Sequence, residues 1–201
     1  MDVKLYLVDA RELSGYVAEG IALLTAKRRA ETEAFVEEKD RLLHLSAGLL
    51  LRSVLNVSKD SDLIYGEYDK PELADGRVQF SLSHAGCYAV LAVSEQQVGV
   101  DIEPIHKPQV LPRKMLTVEE MQWLEEHPSA EAFCIIWTRL ESALKAEGCG
   151  LALERRNFSL LSGGTPWYWD TLIHDRHLIT CAGRSPLEVD STVLSAEQLL
   201  K

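Results

Sequence analysis

Gln79-Phe80-Ser81-Leu82-Ser83-His84-Ala85-Gly86-Cys87-Tyr88-Ala89-Val90-Leu91-Ala92-Val93, followed closely by Val98-Gly99-Val100-Asp101-Ile102-Glu103-Pro104, is the stretch on which the fold turns. Residues 79–83 and 88–93 are short and dominated by apolar side chains, which predicts two paired strands joined through His84-Ala85-Gly86. Residues 98–102 predict a third strand, ended by Pro104. Upstream, residues 3–8 alternate in the manner of a strand. Residues 27–55 carry Phe35, Leu42, Leu45, Leu49 and Leu50 at helical spacing with charges between them, which predicts one long helix or two shorter ones. Residues 65–75, around Lys70-Pro71, are expected to be a polar loop. Downstream, residues 115–126 predict a helix that opens on a capping box of Thr117 and Glu120. Residues 131–146 predict a second helix, with the apolar stripe Phe133, Ile136, Trp137, Leu140 and Leu144, stopped by Gly148 and Gly150. Residues 158–160, 167–169 and 178–181 are expected to be short strands. The resulting order of strand, helices, strands, helices, strands is α+β. Residues 88–93 and 177–182 echo one another faintly, as two α+β halves of similar build would.

The chain has 201 residues, 46% of them hydrophobic, and a formal net charge of −10. That length suffices for a packed core. The negative charge argues against a nucleic-acid binder, and any acidic partner must be met by a local basic patch. Cys87, Cys134, Cys149 and Cys181 are spread widely, without metal-site spacing. They are expected to be reduced, in a cytoplasmic protein. The N-terminal residues read as a strand rather than a signal peptide, and no apolar run approaches the roughly 20 residues of a membrane span.

Asp101 and Glu103 stand two apart on a strand, so both carboxylates point to one face. Two neighbouring acids need a cation, a hydrogen-bond network or open water. Their apolar flanks argue against open water, and an all-oxygen donor set suits a hard ion such as Mg2+. Taken alone, an edge strand with two solvated acids is the commoner origin of such a pair. Glu141 and Lys145 stand four apart on a helix, where spacing alone reads as an ordinary surface pair. Ser83 and His84, at a strand end beside Gly86, could hold a phosphate or simply form a turn. No G-x-S-x-G elbow, P-loop or dinucleotide glycine fingerprint is present.

The order of these signals is more telling than any one of them. Lys70-Pro71, Phe80-Ser81-Leu82-Ser83-His84-Ala85-Gly86, Gly99-Val100-Asp101-Ile102-Glu103 and Trp137-Thr138-Arg139-Leu140-Glu141-Ser142-Ala143-Leu144-Lys145-Ala146-Glu147-Gly148 follow in turn. This succession resembles the 4′-phosphopantetheinyl transferase superfamily, in its longer single-chain class, which resembles the surfactin-synthetase activator. The resemblance runs from about Lys27 to the C-terminus. It implies two similar α+β halves packed as an intramolecular pseudo-dimer, residues 1–103 and 104–201, with the active site in the cleft between them. It implies transfer of the phosphopantetheine arm of coenzyme A to a serine of an apo acyl or peptidyl carrier protein, releasing 3′,5′-ADP. A monomer, working in the cytoplasm and often in secondary metabolism, is the form expected.

The same resemblance assigns roles. Asp101, Glu103 and Glu141 are expected to hold Mg2+, with Glu141 also taking the serine proton. Lys145 is expected on the phosphates, and His84, with Ser83, on a phosphate of the nucleotide. Lys70 and Pro71 are expected to bound the adenine pocket, and Arg28 to clamp the 3′-phosphate. This sequence departs from the pattern at Ala85, where serine is frequent, at Leu140, where lysine is frequent, and at Asp69, where a glycine commonly precedes the Lys-Pro pair. Glu31 stands where a second basic residue is expected, and a further basic position falls near His44. The basic, proline-rich stretch 104–114, with Lys107, Arg113 and Lys114, is expected to dock the acidic carrier. A coenzyme A or carrier-binding module without activity, and a Mg2+-dependent nucleotide hydrolase, are the competing readings.

Overall fold

The computed structural model describes residues 1–66, 68–106, 115–150, 158–162 and 166–201. Strand β1 (Asp2–Asp9) is followed by helices α1 (Val17–Ala22), α2 (Ala26–Ala34) and α3 (Glu38–Leu55). A small hairpin of β2 (Leu63–Tyr65) and β3 (Pro71–Leu73) precedes β4 (Gln79–Ala85), β5 (Tyr88–Ser94) and β6 (Val98–Pro104). Then come α4 (Val118–Glu126), α5 (Ala130–Glu147), β7 (Tyr168–His174), β8 (His177–Gly183), β9 (Glu188–Val193) and α6 (Ala196–Leu199). One sheet has the order β4-β5-β1-β9 and another the order β6-β8-β7. Pairing is antiparallel except for β9 on β1. Strand pairing crosses the expected 103/104 division: β6 joins β8, and β9 returns to β1.

Period-two alternation turns these elements into layers. On β5, Ala89 and Leu91 face the core shared with α3, which supplies Leu45, Leu49, Leu50 and Leu51. Tyr88, Val90 and Ala92, with Val3, Leu5 and Leu7 of β1, face the other way. They meet Val98, Val100 and Ile102 of β6 and Ile179 and Cys181 of β8. The order through the molecule is therefore α3, first sheet, second sheet, α5. Burying each of these large aliphatic side chains contributes about 1.5–3 kcal/mol.

The remaining residues of β6, Gly99, Asp101 and Glu103, belong to the α5 side of the second sheet. A Cβ added at Gly99 would lie 1.9 Å from the Ser142 carbonyl oxygen and 2.5 Å from the Ala146 nitrogen. Both are helix backbone, so the helix rests directly on the strand. Ser142 and Ala146 are themselves fully buried and small, which permits the approach. Farther along the same face, Thr138 and Thr180 share a 2.7 Å hydrogen bond from helix to sheet. α5 ends where Gly148 adopts φ 73° and its N–H caps the Leu144 carbonyl.

Several expectations need correcting. Residues 65–75 are not simply a loop, since β2 and β3 pair there. Asp69 takes φ 58°, the left-handed region that favours glycine, and aspartate is among the residues that tolerate it. Phe35 is no part of the α3 stripe. It ends α2, is 39% exposed and packs its ring against His44. Residues 158–160 form bends, not a strand, because the apolar pair serves the α4–α5 cluster instead. His84 and Ala85 lie inside β4, and the turn falls at Gly86 and Cys87. The capping box at Thr117 and Glu120 forms as the sequence indicates, and the buried Glu120 also accepts the Leu160 N–H.

Because backbone atoms block any side chain at position 99, Gly99→Ala is expected to destabilise the protein by at least about 2 kcal/mol. Urea denaturation measures this, and a midpoint equal to the parent's would contradict the close approach.

Candidate active site

The edges of the two sheets, β4 and β6, lie side by side without a backbone ladder, and serine hydroxyls stitch them together. Ser81 Oγ accepts the Val100 N–H at 3.1 Å. Ser83 Oγ donates to Asp101 Oδ1 at 2.8 Å. From α5, Lys145 Nζ donates to Asp101 Oδ1 at 2.6 Å and to Ser83 Oγ at 2.7 Å. Asp101 is only 4% exposed, and its other oxygen, Oδ2, is buried without a hydrogen-bond partner. An unsatisfied carboxylate oxygen at such depth is costly unless a cation or donor reaches it.

Two further acids flank it. Glu103 Oε1 accepts the Trp137 indole N–H at 3.1 Å. Sequence reading treats Trp137 only as a core anchor; its hydrogen bond to Glu103 follows from its place one turn before Glu141. Burial, followed by the charge of Asp101, raises the Glu103 carboxyl above its ordinary pKa. The Glu141 carboxyl on α5 is raised for the same two reasons, while Lys145 opposes the shift. Asp101 thus acts on both glutamates, on Glu103 along β6 and on Glu141 across the seam to α5. Among the described residues, no group of three or more His, Cys, Asp or Glu side chains forms a preformed metal cage. The donor set nonetheless suits a hard divalent cation: it is all oxygen, mutually repelling, and includes the unsatisfied Oδ2.

A cleft of about 190 Å3 opens beside this group. Lys70, Pro71, Phe80 and Leu82 form one side, and Glu141, Leu144 and Lys145 the other. Leu140, the departure from the expected lysine, is 2% exposed and belongs to the α4–α5 core rather than to the cleft.

Basic side chains extend from the same place. The surface of His84 is open, yet its surroundings lower its pKa by desolvation first and by the charge of Lys145 second. His44, on α3, is pushed down to about 4 by burial, then by Arg28 and His84. Arg28, in the first turn of α2, is lowered by burial, and its Nε is buried without a partner. Lys145, His84, His44 and Arg28 therefore form a chain of groups that sense one another. Thr32 Oγ1 donates to the Arg28 carbonyl at 2.7 Å and lies 2.7 Å from His44 Nδ1. The other ring nitrogen of His44, Nε2, faces the Glu31 carboxylate at 3.6 Å. Glu31 also lies 4.0 Å from Lys27 Nζ. The expected docking residues Lys107, Arg113 and Lys114 lie outside the described residues.

A buried carboxylate group facing a lysine, at the end of a basic track, has the layout of a site for a phosphorylated anion and a divalent cation. The family model for the 4′-phosphopantetheinyl transferase superfamily matches residues 97–179, the span that holds Asp101, Glu103, Glu141 and Lys145. The chain is 27% identical over 205 residues to the 4′-phosphopantetheinyl transferase Sfp of Bacillus subtilis (strain 168), covering 90% of this chain and 91% of that one. It is 31% identical over 133 residues to the 4′-phosphopantetheinyl transferase gsp of Aneurinibacillus migulanus, covering 62% of this chain and 56% of that one. Residues 97–179 thus match the 4′-phosphopantetheinyl transferase superfamily, and the similarity to these two relatives supports an enzyme of that type.

His44 gives this region a pH signature. Its folded pKa of about 4 lies below the ordinary value of 6.5, so the unfolded chain binds the proton first. Its contribution to stability is present above the ordinary pKa and is lost as pH falls towards the folded one. Urea denaturation between about pH 7 and about pH 4.5 should show a steeper loss for the parent than for His44→Asn. Equal slopes would contradict the buried neutral imidazole.

Proposed function

We propose that this enzyme transfers the 4′-phosphopantetheine arm of coenzyme A to a serine of an apo carrier protein in a Mg2+-dependent reaction, releasing 3′,5′-ADP. The observation that carries the reading is the meeting of Lys145 with Asp101, whose second oxygen is buried and unsatisfied, at the end of the basic track. Asp101, Glu103 and Glu141 are the residues that would hold the metal. Bound there, Mg2+ would offset charge on the pyrophosphate.

The chain's own residues supply the rest. The serine oxygen attacks the β-phosphorus, the bond to the bridging oxygen breaks, and its electron pair leaves with 3′,5′-ADP. The hydroxyl proton passes to Glu141, directly or through a water. Lys145 turns from Asp101 towards the phosphates and offsets leaving-group charge. His84 and Ser83 lie next to that lysine and would contact phosphate oxygens. Arg28, with His44, would receive the 3′-phosphate, and Glu31 would weaken that hold. Lys70 and Pro71 would border the base.

The pseudo-dimer reading draws support from each main sheet being backed by an 18-residue helix, α3 on one and α5 on the other. One chain then supplies every group, so a monomer suffices. Cys87, Cys134, Cys149 and Cys181 are all unpaired, which favours a reducing, cytoplasmic setting. For the acidic carrier, the basic stretch 104–114 remains the proposed docking segment.

Incubation with Mg2+, coenzyme A and an apo carrier protein should add the mass of one phosphopantetheine group to the carrier and release one 3′,5′-ADP per transfer. Glu141→Gln should slow this by at least ~10²-fold. Nucleotide release without carrier would indicate hydrolysis instead, and coenzyme A binding without either product would indicate a binding module.

A further inference from the structure

The last turn of a helix leaves carbonyls without intrahelical partners. In α5 one of these belongs to Ala146, the residue after Lys145. Two side chains from distant parts of the chain converge on it: Lys70 Nζ donates at 2.8 Å and Gln97 Nε2 at 2.9 Å. A carbonyl oxygen has two lone pairs, so both bonds can form together. Lys70 stands just before β3, and Gln97 just before β6. The helix end is thus tied to the small hairpin and to the strand that carries Asp101 and Glu103.

The fit around Lys70 is close. A Cβ added at Gly148 would lie 2.9 Å from Lys70 Cδ, so the lysine stem lies against the bare backbone that ends the helix. A cation at a helix C-terminus is also favoured by the helix dipole. Lys70 borders the cleft, but its ammonium is engaged with the helix; Gln97 does not border the cleft.

We infer that Lys70 and Gln97 are positioning residues, which act together on the Ala146 carbonyl to hold Lys145 in register with Asp101. This rests on the transferase reading above and assigns Lys70 a task distinct from bordering the base. Errors in placing a catalytic group are costly: a displacement of about 1 Å can slow a reaction by ~10²-fold.

The test measures transfer kinetics at varied coenzyme A for Lys70→Met, Gln97→Leu, the double variant and Lys70→Arg. Hydrogen exchange is followed at the α5 C-terminal amides. The inference expects Lys70→Met to lower kcat by about tenfold with KM for coenzyme A within about twofold. Gln97→Leu should lower kcat about threefold, with the same unchanged KM, and Lys70→Arg should recover most of the loss. In a Lys145→Met background, either substitution should cost less than about twofold, because the effect passes through Lys145. Amide exchange in the last turn should quicken in both single variants. A raised KM in Lys70→Met with a silent Gln97→Leu would overturn the inference and return Lys70 to substrate contact. Unchanged exchange in both would overturn it as well. If Lys70→Met fails to fold, Gln97→Leu carries the test. Absence of transfer by the parent enzyme would instead overturn the transferase reading, and the exchange measurement would still decide whether the two side chains hold the helix end.

Discussion

The close approach of α5 to β6 at Gly99 sets the geometry of the proposed site. With backbone 1.9 Å from where a Cβ would stand, helix and strand are as near as packing allows. Residue 101 on the strand and residue 145 on the helix are then close enough for one lysine to bridge them at 2.6 Å. Small residues at Ser142 and Ala146 preserve the contact, and the bonds on the Ala146 carbonyl fix the helix end beyond it. A fold that kept the same elements with a larger residue at position 99 would separate the acids of β6 from those of α5.

The second constraint is electrostatic. Three carboxylates lie in a poorly hydrated seam, and Lys145 compensates only part of their charge. Burial and Asp101 together raise the pKa of both glutamates, which means the fold tolerates this arrangement rather than being stabilised by it. Stability is supplied elsewhere, by the α3 layer and the sheet-to-sheet core. That division of labour is common where a site must accept a cation and a polyanion: the core tolerates the cost and the site keeps its unsatisfied charge.

Much of this was legible in the sequence, because the strongest signals were local. Alternation at 98–102 placed Asp101 and Glu103 on one face, and the 3.6-residue stripe of 131–146 gave α5, its stop at Gly148 and the pair Glu141 and Lys145 one turn apart. What was not legible depended on distant partners. β9, with exposed Glu188 and Asp190, is a strand only because β1 lies beside it, and the two are at opposite ends of the chain. The β2–β3 hairpin is three residues per strand and carries too little pattern to read. Spacing on a helix suggested a Glu141–Lys145 surface pair, whereas Lys145 closes its ion pair across the seam onto Asp101. Gln97 had no local signal, since its role arises only once Ala146 lies opposite.

The central claim is that acids from β6 and an acid from α5 act as one cation site. Calorimetric titration of Mg2+ into the enzyme with coenzyme A bound tests it without relying on turnover. Asp101→Asn and Glu141→Gln should each weaken Mg2+ binding by more than about tenfold, since each removes one charged oxygen ligand from a hard-cation site. Undiminished Mg2+ affinity in Glu141→Gln would contradict the shared site.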